Sequence, residues 1–174
     1  MRKIRITLLV VLALLVFTNV VSADMEMSKF FVARLSGANE VPARETGAIG
    51  KAGFVVSPDG SSIQYTLLVS NINNAFAAHI HCGAAGVNGP VGVTLFRGTA
   101  GSGPAEGVLA SGVITAPDAN NACGWTTLWD VLAAIMSGDT YVNVHTNDNV
   151  PPTNTGPGDF ASGEIRGQII EVTK

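Results

Sequence analysis

The chain has 174 residues, with 10 basic and 13 acidic side chains and a formal net charge of −3. Such a mildly acidic surface repels phosphate groups, which excludes binding to nucleic acid or to an anionic membrane as its function. Only 13% of the residues are charged and 20 are glycine, a composition that favours short strands and many turns over long helices.

The first 23 residues have the composition of a secretory signal peptide. The basic start MRKIR leads into the apolar run ITLLVVLALLVFTNVV, and the small residues VSA end at Ala23. We predict cleavage after Ala23, which leaves residues 24–174 as one domain outside the cell, either secreted, periplasmic or at the cell surface, with no membrane contact. The alternative is an uncleaved anchor, but the apolar run is shorter than the roughly 20 residues of a spanning helix.

Alternating apolar residues predict an all-β domain. The clearest case is residues 62–69, where Ile63, Tyr65, Leu67 and Val69 share one face. Eight strands are predicted, at residues 29–36, 48–57, 62–69, 75–81, 91–96, 107–115, 139–147 and 161–170.

One segment has helical periodicity. In residues 127–137 the apolar side chains recur every three or four positions, Thr126 or Thr127 is placed to cap the start, and Gly138 fits the position after the last turn. We predict a short helix that covers one end of two packed antiparallel sheets or a flattened barrel.

The chain has only three histidines, and they predict a transition-metal site. On a strand, the two-residue period places His79 and His81 on one face and Ile80 on the other. His145 likewise lies opposite its apolar neighbours, so all three are expected to face outward from the core. Three imidazoles suit copper or zinc better than calcium or magnesium. This site requires the two host strands to be neighbours; otherwise the histidines are plain hydrogen-bonding residues of a strand face.

The two cysteines have two interpretations. Outside the cell, Cys82 and Cys123 are expected to form a disulfide. The alternative is that Cys82, next to His81, is a thiolate ligand of the metal.

Other polar residues are expected to border the histidines. Glu40 and Glu164 are candidates for carboxylates that orient an imidazole, and Arg166 lies two residues beyond Glu164. Each acid is otherwise a solvated surface group. No nucleophile elbow, C-x-x-C pair or phosphate loop is present in the sequence, so no catalytic residue is predicted and an enzyme is the less favoured interpretation.

Several segments resemble the CHRD family, the domain repeated in chordin and found singly in secreted microbial proteins. They are LSGANEVP at 35–42, YTL at 65–67, AHIHCG at 78–83, YVNVHT at 141–146 and GEIRGQI at 163–169. The resemblance implies an immunoglobulin-like β-sandwich over residues 24–174 and an extracellular location. Chordin binds growth factors, but the resemblance implies no activity for a single microbial domain.

Three functions follow as hypotheses. The first is a noncatalytic module that binds copper or zinc through His79, His81 and His145. The second is a module that binds an extracellular protein, matrix or glycan without metal. The third is a copper redox enzyme, because the histidine pattern is similar to that of Cu,Zn superoxide dismutases. This chain, however, lacks the further histidines and the zinc loop of those enzymes.

Overall fold

The computed structural model describes residues 28–173, so the predicted signal peptide and its cleavage after Ala23 lie outside the described residues. The described chain forms nine strands, one α-helix and a 3-10 turn at Gly37–Asn39. The strands are β1 (Phe30–Ser36), β2 (Ile49–Val56), β3 (Ile63–Asn73), β4 (Ala75–Cys82), β5 (Val91–Arg97), β6 (Pro104–Ile114), β7 (Thr140–Thr146), β8 (Ile165–Gln168) and β9 (Ile170–Glu171); the helix is α1 (Leu128–Met136).

All strands join one antiparallel sheet in the order β5-β4-β7-β8-β1-β2-β3-β6, with β9 beside β1. The two edge strands of this order, β5 and β6, also contact each other. In addition, the Tyr65 hydroxyl on β3 donates a 2.6 Å hydrogen bond to the Leu95 carbonyl on β5. The sheet is therefore curled into a nearly closed, flattened barrel, which confirms the predicted all-β class.

The core lies inside this barrel and follows the predicted alternation. Phe31, Leu35, Ile63 and Leu67 are buried, with no more than 2% of each side chain exposed. β7 is buried at every position, because its inner face packs in the core and its outer face is covered by loops. β7 is therefore covered on both faces.

Helix α1 closes one end of the barrel, as predicted. The Asp130 amide donates to the Thr127 hydroxyl, and the Asp130 carboxylate accepts from the Thr127 amide, a reciprocal cap of the first turn. The helix buries Leu128, Val131 and two further apolar side chains against the core. In residues 28–173, no helix has the length and apolar content needed to span a membrane.

Three strand boundaries differ from the prediction by three residues or more. β3 continues to Asn73 instead of ending at residue 69, because a bulge after Val69, with Asn71 at φ 54°, keeps it paired with β6. For the same reason β6 begins at Pro104. The last predicted strand is interrupted: residues 161–164 are a turn, β8 begins at Ile165, and Ile170 pairs with β1.

Candidate metal centre

The two strands that carry the histidines are neighbours. β4 pairs with β7 in antiparallel register, with His81 opposite Tyr141, His79 opposite Asn143 and Ala77 opposite His145. The condition for a three-histidine cluster is therefore met by the topology. Some 64 residues of chain separate His81 from His145, and the sheet brings them together.

The three imidazoles converge. One ring nitrogen from each of His79, His81 and His145 lies within 4.8 Å of the other two. Ring centroids are 5.6 Å apart for His79 and His81, 5.0 Å for His79 and His145, and 5.6 Å for His81 and His145. An ion between the three nitrogens requires a contraction of about 1 Å or less per side chain to reach nitrogen–metal bonds near 2 Å.

Backbone carbonyls orient two of the rings. His81 Nδ1 lies 2.9 Å from the Gly89 carbonyl oxygen, and His145 Nδ1 lies 3.1 Å from the Ala161 carbonyl oxygen. Because a carbonyl only accepts, each Nδ1 carries the proton and donates, which leaves the lone pair on Nε2. These are the bonds that typically hold a metal-ligating histidine in position.

One buried nitrogen of each imidazole has no hydrogen-bond partner in the described part of the chain. His79 Nδ1, His81 Nε2 and His145 Nε2 are all buried and make no hydrogen bond within the described part of the chain. A buried polar atom without a partner costs about 1–3 kcal/mol. Three such atoms on three adjacent side chains fit one common ligand.

The expectation that the histidines face outward is wrong in one respect. They do lie on the face opposite the core, but three loops cover that face, at residues 37–48, 83–90 and 147–163. His81 and His145 are only 7% and 8% exposed, and His79 is half-buried. The loops are joined to each other, since Asn88 donates to the Val41 carbonyl at 2.7 Å and Arg44 donates to Ser162 at 2.6 Å.

Burial keeps the imidazoles neutral. Desolvation, with a smaller contribution from the neighbouring His81, lowers the pKa of His79 to about 4. Desolvation, helped by His79 and His81, lowers the pKa of His145 to about 3. Burial likewise lowers the pKa of His81. At neutral pH each of the three imidazoles is therefore neutral and carries one nitrogen lone pair, the state that a metal requires.

The disulfide is present where it was predicted. Cys82 and Cys123 are bonded, with a sequence separation of 41 residues. The Cys82 sulfur is therefore in a disulfide and not a free thiolate, and the bond fixes the end of β4 directly after His81.

The residues predicted to border the site are buried nearby but make no hydrogen bond to a histidine. Glu164 accepts from Thr46, Thr146 and the Gly158 amide at 2.6–2.8 Å, so it joins β7 to two of the covering loops. Burial raises the pKa of Glu40 to about 7, against the opposing charges of Arg166 and Arg44.

Arg166 belongs to a stack that the sequence did not reveal. Its guanidinium carbon lies 4.0 Å from the Tyr141 ring centroid, and Tyr141 stacks on His81 with centroids 4.9 Å apart and planes inclined by 11°. The period-two pattern of β7 already places Tyr141 on the same face as His145, so this neighbour was detectable. The sequence contained no such signal for Gly89, because this residue contacts His81 through its backbone carbonyl oxygen.

A family model described as the CHRD domain matches residues 31–153, more than half of the chain. The match includes all three histidines and both cysteines, and it ends before β8. Comparison with curated proteins gave no match, and comparison with solved structures also gave none.

Proposed function

The chain belongs to the CHRD domain family, and we propose that it is an extracellular, noncatalytic binding module whose three histidines hold one copper or zinc ion. The observation that carries this proposal is the set of three buried, unpartnered nitrogens on His79, His81 and His145. An ion at their centre would give each of them a partner and remove the cost of leaving them unsatisfied.

The chemistry of the donor set supports copper or zinc. Neutral imidazole is a good ligand for both metals, whereas calcium and magnesium take oxygen ligands. Among the described residues, the cluster contains no carboxylate or thiolate. The two carbonyl bonds to Nδ1 hold His81 and His145 with Nε2 turned toward the cluster, so little reorganisation is needed for binding.

The disulfide and the family support an extracellular location. Disulfides persist in oxidising compartments, where the chain would meet metal ions outside the control of cytosolic thiols. The predicted cleavage after Ala23 belongs to the same proposal.

Calorimetric titration of the metal-free protein with Cu(II) and with Zn(II) tests the proposal. We expect one ion per chain, and loss of that binding in His79→Ala and in His145→Ala. Gln64→Ala, an exposed substitution on β3, is the control and should bind as the parent protein does. Because the sequence has no other histidine, residual binding in a variant with all three histidines replaced by alanine measures the non-specific surface contribution.

No binding of either metal above that residual level would contradict the proposal. The second hypothesis, a module that binds an extracellular protein, matrix or glycan without metal, would then remain.

A further inference from the structure

The donor set at the histidine cluster carries no negative charge. Among the described residues it consists of His79, His81 and His145 alone, and all three are neutral when they bind a metal. A divalent ion would therefore keep its full charge in a largely desolvated site. Because the cost of desolvation grows with the square of the charge, it is about four times larger for a divalent than for a monovalent ion of equal size.

A buried positive charge lies beside this cluster. Arg166 is 2% exposed, and its guanidinium donates to two neutral acceptors, Asn88 Oδ1 at 2.9 Å and the Val87 carbonyl at 3.1 Å. On β8 it lies on one side of Tyr141, while His81 on β4 lies on the other, because β7 runs between those strands. One aromatic ring thus separates the guanidinium from a ligand imidazole.

Within the described residues, neither nearby carboxylate forms an ion pair with Arg166. Glu164 instead accepts three hydrogen bonds, from Thr46, Thr146 and the Gly158 amide, which hold its carboxylate away from the guanidinium. Burial raises the pKa of Glu40 to about 7, against the opposing charge of Arg166, so this carboxyl group is not a fixed negative charge near neutral pH.

At His79, on the other side of the cluster, the two nearby charged side chains, Arg97 and Asp118, have opposite charges. Asp118 accepts from the Thr94 amide at 3.1 Å and from the Thr94 hydroxyl at 2.6 Å, and Arg97 donates to the same hydroxyl at 3.2 Å; Thr94 lies opposite His79 on β5. Within residues 28–173, neither charged side chain forms a hydrogen bond or an ion pair with a histidine of the cluster.

We propose that the histidine site binds monovalent copper, Cu(I), in preference to Cu(II) and Zn(II), and that Arg166 strengthens this preference through the Tyr141 stack. The inference rests on the metal binding proposed above and specifies its ion. Three imidazoles complete a trigonal shell that Cu(I) accepts, whereas Cu(II) and Zn(II) take a fourth ligand that the described cluster does not provide.

The effect of Arg166 on the metal-binding constants can be calculated from its distance to the His81 ring. The guanidinium and the His81 ring are about 9 Å apart across Tyr141, and at an effective dielectric constant of about 20 one additional unit of ion charge changes the binding constant about twentyfold. For a one-electron couple, a twentyfold change in the ratio of the two copper affinities corresponds to a potential shift of about 80 mV.

The test compares three ions on the same protein. Cu(I) affinity is measured anaerobically with ascorbate and a chromophoric Cu(I) chelator as competitor, and Cu(II) and Zn(II) affinities are measured with matched competing ligands. We expect Cu(I) to bind at least tenfold more tightly than either divalent ion. Arg166→Met should reduce the Cu(I)-to-Cu(II) affinity ratio about twentyfold. Arg166→Lys, which keeps the charge, should retain most of the ratio.

Arg34→Met is the matched control, because it removes the same charge from an exposed position on the neighbouring strand β1. It should leave the affinity ratio within about twofold of the parent value. An equal change in both Met variants would refute the role of Arg166.

The parent protein alone also decides the question if Arg166→Met does not fold. Zn(II) or Cu(II) bound as tightly as Cu(I) would overturn the preference while leaving the proposed metal binding intact. Binding of none of the three ions would overturn both.

Discussion

Replacing His145 with leucine should separate a metal ligand from a structural histidine. Leucine is close in volume to histidine, and it removes both ring nitrogens from a side chain that is 8% exposed. If His145 is a ligand, the substitution should destabilise the metal-free protein little, yet abolish stabilisation by metal.

The magnitude follows from the two nitrogens. Removing the unpartnered Nε2 relieves a cost of about 1–3 kcal/mol, and losing the bond from Nδ1 to the Ala161 carbonyl costs about 0.5–1.5 kcal/mol. The free energy of unfolding of the metal-free variant should thus lie between about 0.5 kcal/mol below and about 2.5 kcal/mol above the parent value. With free Zn(II) at about 100 times its Kd, the parent gains about 2.7 kcal/mol and the variant gains nothing.

Urea denaturation in the presence of chelator and then of Zn(II) measures both quantities. In thermal melts the same gain appears as a rise of about 5–10 °C for the parent protein only. The reasoning is refuted if Zn(II) stabilises His145→Leu as much as the parent. It is also refuted if the metal-free variant loses more than about 3 kcal/mol, because a large loss would mean that His145 is satisfied by its protein neighbours.

Three further predictions follow from the same contacts. Burial lowers the pKa of His79 to about 4 and that of His145 to about 3, so below pH 6.5 the unfolded chain binds more protons than the folded one. The urea concentration at the unfolding midpoint of the metal-free protein should therefore decrease as the pH is lowered from about 6.5 to about 4. In Gly89→Ala, the new Cβ would lie 1.5 Å from the Cys82 carbonyl oxygen, so titration should show weaker metal binding, whereas Gly53→Ala, with no atom within 4 Å, should show none of this loss. Replacing both cysteines with serine should lower the free energy of unfolding in urea by on the order of 4 kcal/mol; a loss below about 1 kcal/mol would contradict the loop-entropy estimate.

The strands could be predicted from the sequence because each buries one face. The alternation in β3 identified Ile63 and Leu67 as core residues, and both are fully buried. The end of β3 was missed, since a bulge with Asn71 in a left-handed conformation resembles a turn when only the local sequence is read.

The histidine cluster could be predicted, but its environment could not. Period-two spacing places His79 and His81 on one side, and the chain has only one other histidine. That β4 lies beside β7 depends on strand order, which is set by packing over the whole sheet. The burial of His81 and His145 depends on loops whose joining bonds, such as Asn88 to the Val41 carbonyl, connect residues far apart in sequence.

The role of Arg166 was only partly accessible. The sequence placed it on the last predicted strand, two residues beyond Glu164. Its stacking on Tyr141 requires β8 to pair with β7, a contact that the register of Asn143 with Arg166 establishes. A residue that borders the site can therefore be identified from the sequence, whereas the position of its charge relative to the histidines is known only from the fold.

A crystal structure of the copper-loaded protein, with anomalous scattering recorded at the copper edge, tests the central claim most directly. We predict a single strong peak bonded to His79 Nδ1, His81 Nε2 and His145 Nε2, the three nitrogens that lack a partner. Copper bound through other residues, or no peak between these histidines at saturating metal, would contradict it.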